Sequence, residues 1–176
     1  MKSSEKLCLA CGLCCDGSLF GHVRLGPGDD AEKLKSLGLP VSTSRSRTPL
    51  TRFPQPCAAL CADRTCRLYA DRPSQCRSFE CGVFKDARAG RITFIAALRL
   101  VGQARRQADR IRGLLRELGD TGEHVALTER FRRTQRRMEA GVADEAQADT
   151  FAKLSLAVHR FNLLALKKFY TKAETP

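Results

Sequence analysis

From Ala97 onward apolar side chains recur at alternating steps of four and three: Ala97, Val101, Ala104, Ala108, Ile111, Leu115 and Leu118. That spacing lays them along one stripe of a helix, and Gly119-Asp120-Thr121-Gly122 ends it. A second helix is predicted over residues 123–140, with Leu127, Phe131 and Met138 on one side. A third follows Gly141, carrying Phe151, Leu154, Val158, Phe161 and Ala165 at the same spacing. Such short breaks predict an antiparallel bundle or hairpin. The third helix is apolar on a further side as well, at Leu156, Leu163, Leu164 and Leu166, so it is expected to sit centrally or to meet a partner.

The first half of the chain has no such stripe. His22-Val23-Arg24-Leu25 reads as a strand. Pro27 is predicted in the first turn of a short helix, with Asp29, Asp30 and Glu32 at its positive start. Ala31, Leu34 and Leu37 give that helix an apolar face, and Gly38 caps it. Residues 40–56, rich in proline and serine, read as a loop with one edge strand near 50–53. Pro73 limits any helix in 57–81. The expected fold is therefore mainly α with minor β. An irregular cysteine-rich, metal-binding domain over 1–90 is followed by a basic helical region over 91–176 that packs on it or on a partner.

Composition sharpens the picture at one point. The chain has nine cysteines, all between Cys8 and Cys81. An odd, clustered set reads as metal ligands or redox groups of a reducing compartment rather than as structural disulfides. Cys14 and Cys15 cannot readily pair with each other, because adjacent Cα atoms lie ~3.8 Å apart and a disulfide needs at least ~4.4 Å. No apolar run approaches the ~18 residues of a membrane span, and the opening residues lack a secretory pattern. A cytoplasmic protein is expected. Its net charge of +12 favours acidic partners.

The cysteines fall into two stretches. The first is Cys8-x2-Cys11-Gly12-x-Cys14-Cys15, in which a tight loop is expected to aim two sulfurs at one ion. Positions 8, 11 and 14 also match three positions of the bacterial ferredoxin run. Asp16 stands where that run would continue, and Cys15 is expected to face a second ion or to bridge two. The second stretch is Cys57-x3-Cys61-x4-Cys66, then Cys76-x4-Cys81. Arg67, Arg72 and Arg77 are interleaved with it and can offset thiolate charge through their N–H donors.

These residues resemble the CxxCxxCC (YkgJ-type) cysteine-cluster family, a zinc- or iron-chelating domain. Cys8-Leu-Ala-Cys11-Gly-Leu-Cys14-Cys15 is similar to that family's opening signature. Cys57-Ala-Ala-Leu60 is similar to its later signature, together with Cys66-Arg-Leu-Tyr69-Ala-Asp-Arg72-Pro73-Ser-Gln-Cys76-Arg77-Ser-Phe79-Glu-Cys81. The resemblance covers about residues 8–85. It implies metal ligation by Cys8, Cys11, Cys14, Cys15, Cys57, Cys66, Cys76 and Cys81. Cys61 is extra to the pattern, and Ala58 stands where the family usually has proline. Zinc and an iron–sulfur cluster both accept four thiolates, so ligand type leaves the metal open. Some members resemble the cysteine-rich part of flagellin lysine methylase. Methylation carries over only by analogy, because this chain has no glycine-rich cofactor loop of the usual kind.

Three further readings follow. His22 is a candidate extra ligand, whereas His124 and His159 lie in the helical half without cysteine neighbours. In the run Arg130-Phe131-Arg132-Arg133-Thr134-Gln135-Arg136-Arg137, helical geometry puts Arg130, Arg133 and Arg137 on one flank and Arg132 and Arg136 on another. These arginines are either a solvated rim around a packed stripe or a site for phosphate or an acidic partner. The expected function is metal binding. The alternatives are an iron–sulfur enzyme or electron carrier, including one that modifies protein, and a basic nucleic-acid binder with structural zinc.

Overall fold

The structure is a computed structural model, and it describes residues 3–141 and 144–171. Seven helices and three short strands follow one another as α1 (Ser3–Cys11), β1 (His22–Arg24), α2 (Ala31–Ser36), β2 (Ser42–Thr43), β3 (Thr51–Pro54), α3 (Ser74–Ser78), α4 (Gly82–Arg88), α5 (Phe94–Glu117), α6 (Leu127–Ala140) and α7 (Glu145–Lys168). The fold is mainly α with minor β.

The long stripe predicted from Ala97 to Leu118 is buried throughout, and it makes α5 the spine of the molecule. Thr93 caps its start by accepting from Ala96 N–H at 3.1 Å, and Gly119, at φ +78°, turns the chain away from its end. The helix α7 packs along α5, through Leu154, Phe161 and Ala165. On α6, Phe131 stacks on Phe151 of α7. The start of α6 is four residues later than predicted, because Gly122–Val125 forms a turn. Of the extra apolar side chains on α7, Leu164 packs against the core, whereas Leu156, Leu163 and Leu166 are exposed.

Two hydrophobic cores result. The first joins Leu7, Leu13 and Val83 to the buried faces of α5, α6 and α7. The second is built from Val23, Leu34, Leu39, Val41, Phe53, Ala59 and Leu68, beneath the small sheet. That sheet runs β1-β3-β2, with both pairings antiparallel. The strand near 50–53 is thus central rather than an edge, because segments on both sides pair with it. Pro27 also lies outside its expected helix. Asp30 caps α2 by accepting from Lys33 N–H at 2.9 Å, so the helix begins at Ala31. Asp29 serves a different helix, as described below.

Candidate metal centre

Cys8 and Cys11 stand on α1, three residues apart and so on one face of a helix. The expected tight loop begins only at Gly12, whose φ of +66° suits glycine. A Cβ there would come within 2.8 Å of Arg64 Nε. The chain then turns, with Cys15 and Asp16 donating their N–H groups to Gly12 O at 2.9 and 3.0 Å. Asp16 is buried and accepts from Arg64 at 2.6 Å, while Arg112 on α5 stands 3.3 Å away. Arg64 Nε also donates to the Cys11 carbonyl at 2.7 Å. The Cys14-Cys15 turn is therefore clamped between the loop around Arg64 and the spine helix. Nothing local in the sequence announces these partners, since Arg64 lies 48 residues from Asp16.

The remaining cysteines arrive from separate segments. Cys57 donates its N–H to the Cys15 carbonyl at 2.7 Å, which ties the two stretches together. Leu60 and Cys66 form a β-bridge. Cys76 rides on α3, and Asp29 orients that helix by accepting from Ser74 N–H and Ser74 Oγ, both at 2.8 Å. Burial by itself raises the Asp29 pKa, but hydrogen bonds from Gly26 and Ser74 bring it below its ordinary value. Cys81 caps α4, where its Sγ accepts from Phe84 N–H at 3.4 Å.

All eight expected ligands line one cavity of about 340 Å³, and Cys61 does not. Cys61 instead sits in the turn closed by its own N–H to the Thr65 carbonyl at 2.9 Å. Within the cavity the thiols divide by the core that backs them. Cys11, Cys14 and Cys81 pack on the first core, and Cys57, Cys66 and Cys76 on the second.

Electrostatics divides them the same way. Cys8 is exposed as a residue, but desolvation of its thiol pushes it up to about 11, with Cys81 adding to it. Burial also takes Cys11 to about 12, and Cys81 and Cys8 push in the same direction. Cys14 is raised well above its ordinary value by burial, then by Cys11 and Cys81. Cys15 reaches about 12 through burial, then through Cys57, Cys76 and Cys66. Cys76 reaches about 12 through burial, then through Cys57 and Cys66. One set is thus Cys8, Cys11, Cys14 and Cys81. The other is Cys15, Cys57, Cys66 and Cys76. The peptide bond between Cys14 and Cys15 joins them, and Cys14 feels the charge of Cys15.

Of the three interleaved arginines, Arg72 faces both sets, since its charge acts on Cys8 and on Cys76. Its guanidinium lies 3.7 Å from the Tyr69 ring centroid, and its Nε donates to the Tyr69 carbonyl at 3.0 Å. Arg67 turns to the Leu37 carbonyl and Arg77 toward Asp29. Gln55 Oε1 is buried on the cavity wall with no hydrogen-bond partner among the described residues. His22 lines the cavity from β1, outside both sets, and His124 and His159 are exposed and away from it.

Eight soft sulfur donors, an orphaned polar oxygen and a cation between the sets fit a thiophilic metal or an iron–sulfur group. The thiols are not drawn in around a point. Among the described residues, no three His, Cys, Asp or Glu side chains stand in an arrangement that could hold an ion.

The arginine run on α6 is largely occupied within the fold. Arg130 is buried and its Nε donates to Asp120 at 2.7 Å. Arg137 donates to the Leu118 carbonyl. Arg133 and Arg136 lie 3.0 and 3.6 Å from Glu129. No helix among the described residues is long and apolar enough to cross a membrane.

No curated protein and no solved structure matches the chain. Residues 7–93 match the family model CxxCxxCC, described as a "putative zinc- or iron-chelating domain". The matched segment holds both cysteine stretches and every thiol of the cavity, so over residues 7–93 the chain is similar to the CxxCxxCC family's domain.

Proposed function

We propose that the protein chelates metal at two neighbouring four-cysteine centres, one formed by Cys8, Cys11, Cys14 and Cys81 and the other by Cys15, Cys57, Cys66 and Cys76. The observation that carries this reading is the single cavity that all eight line and Cys61 does not. Four thiolates are the ligand number of a closed structural zinc site and of a cubane iron–sulfur cluster. Ligation draws each set inward from its present spacing. Arg72, held by Tyr69, then offsets part of the thiolate charge of both centres.

Metal in these positions ties α1, the Cys57–Cys66 segment, α3 and the start of α4 together. Zinc supplies that cross-link alone, and an iron–sulfur cluster adds electron transfer. Structural zinc contributes ~10–16 kcal/mol of apparent binding energy in small domains, comparable with the whole stability of a domain. Nine clustered cysteines read as metal ligands suit a reducing compartment, which supports a cytoplasmic location.

Anaerobic purification followed by metal and acid-labile sulfide analysis tests the reading. Colourless protein with stoichiometric zinc, or brown protein with matched iron and sulfide, is the expected outcome. Protein free of both metals after purification and after reconstitution contradicts it.

A further inference from the structure

The outer face of the three-stranded sheet carries a charge arrangement that neither the metal centres nor the cores explain. In the antiparallel pair of β1 with β3, Val23 stands opposite Phe53, and both are buried. Alternation along a strand sends their neighbours to the opposite face. There Arg24 stands opposite Arg52, and both are exposed. Like charges directly opposite on a sheet destabilise it.

Among the described residues no carboxylate relieves this pair. None of Arg24, Arg52, Arg45 and Arg47 takes part in an ion pair among the described residues. Asp29, Asp30 and Glu32, which follow β1, and Asp63, which follows β3, are engaged elsewhere, with Ser74, Lys33, Lys35 and Thr65 respectively. Arg45 and Arg47 extend the positive surface, both exposed in the loop that leads from β2 into β3. Burial, and then Arg52 and Arg24, lower the His22 pKa, as expected beside two uncompensated cations. Ser42 stands opposite Arg52 on β2 and adds a hydroxyl to the same face.

We propose that this sheet face binds the phosphate backbone of double-stranded nucleic acid, with Arg24 and Arg52 at its centre and Arg45 and Arg47 at its edge. Charge complementarity selects the partner: a row of cations without acids matches a regular row of phosphates. The outer positions of the three strands hold no Phe, Tyr or Trp on which unpaired bases would stack, which favours the duplex over a single strand. The β-ribbon with its arginine-bearing loop is also of a form that a duplex groove admits. This proposal does not rest on the metal centres.

The test is fluorescence anisotropy of the full-length, metal-replete protein with a labelled DNA or RNA duplex, its separate strands and anionic phospholipid vesicles, at several salt concentrations. Duplex binding is expected to weaken steeply with salt. The R24Q/R52Q double variant should bind on the order of tenfold to a hundredfold more weakly near 0.1 M salt, with a log–log salt slope shallower by about two. It should melt no lower than the wild type, because a repulsive pair has been removed. An R132Q/R136Q control on α6 should bind as the wild type does. Unchanged duplex binding by R24Q/R52Q, absence of duplex binding at low salt, or binding confined to single strands or to vesicles overturns the proposal.

Discussion

Gly82, one residue after Cys81, donates its N–H to the carbonyl of Phe169 at 3.0 Å, fixing the start of α4 against the end of α7. The approach is so close that a Cβ on Gly82 would lie 2.6 Å from the carbonyl oxygen of Lys168. Backbone, not a flexible side chain, stands in the way. Tyr170 strengthens the same junction by donating its hydroxyl to the Leu19 carbonyl at 2.6 Å. The far end of the helical half thus holds one wall of the cysteine cavity.

Gly82→Ala is therefore expected to force these segments apart and to cost about 1–3 kcal/mol, the usual range for overpacking. The damage should be local to Cys81. Denaturant unfolding should show the stability loss, and metal titration should show weakened binding at the Cys81 centre with the Cys15 centre retained. Equal loss at both centres would contradict the junction's assigned role.

Arg130 and Asp120, ten residues apart, form a buried ion pair at 2.7 Å with both side chains nearly inaccessible. Removing one member leaves an uncompensated buried charge, so Arg130→Ala should cost about 3–5 kcal/mol. Replacing both, as R130M/D120N, should cost clearly less than the sum of the single changes. Thermal and denaturant melts of the two single variants and the double variant check this.

The pH response should change sign with metal. In the metal-free protein Cys8 is pushed up to about 11, and Cys11, Cys15 and Cys76 to about 12, burial being the main cause in each case. Unfolded thiols titrate near their ordinary value of 9.0. The folded state then holds more protons, so metal-free stability is fully present below about pH 9 and is lost as pH rises toward 12. Ligation has the opposite requirement, because the bound form is the thiolate and each thiol releases its proton. Metal affinity should therefore fall as pH is lowered from about 8 to about 6. Competition with a chelator across that range, beside melts of the metal-free protein at alkaline pH, reads both signs.

The helical half was largely legible because α5 and α7 are long enough for the 3.6-residue period to repeat. Every member of the Ala97–Leu118 stripe is buried. Short elements were legible only in part: β1, α2 and β3 were expected, whereas β2 and the pairing of the strands were not. Strands of two to four residues cannot display alternation, so β1 and β2 gave no sign of enclosing β3. The first helix hid behind its cysteines, which read as loop ligands although Leu7 and Cys11 face the core. The seven-residue α4 begins directly after Cys81 and was not anticipated. Asp29, read as favouring one helix start, orients another 45 residues away.

The cavity's membership was legible as well, through the family signature, whereas its division was not. Sequence order groups Cys14 with Cys15 and Cys76 with Cys81. The fold separates both pairs: Cys15 feels the charges of Cys57, Cys76 and Cys66, while Cys81 packs on the first core beside Cys11 and Cys14. Those assignments depend on Asp16, Arg64 and Gly82, whose partners lie far along the chain.

Counting metal in single-cysteine variants tests the account most directly. After reconstitution, C11S and C76S should each retain about half the metal of the wild type, C11S/C76S almost none, and C61S the full amount. Metal that survives in the double variant, or that falls in C61S as far as in C11S, would contradict two centres built from these eight thiols.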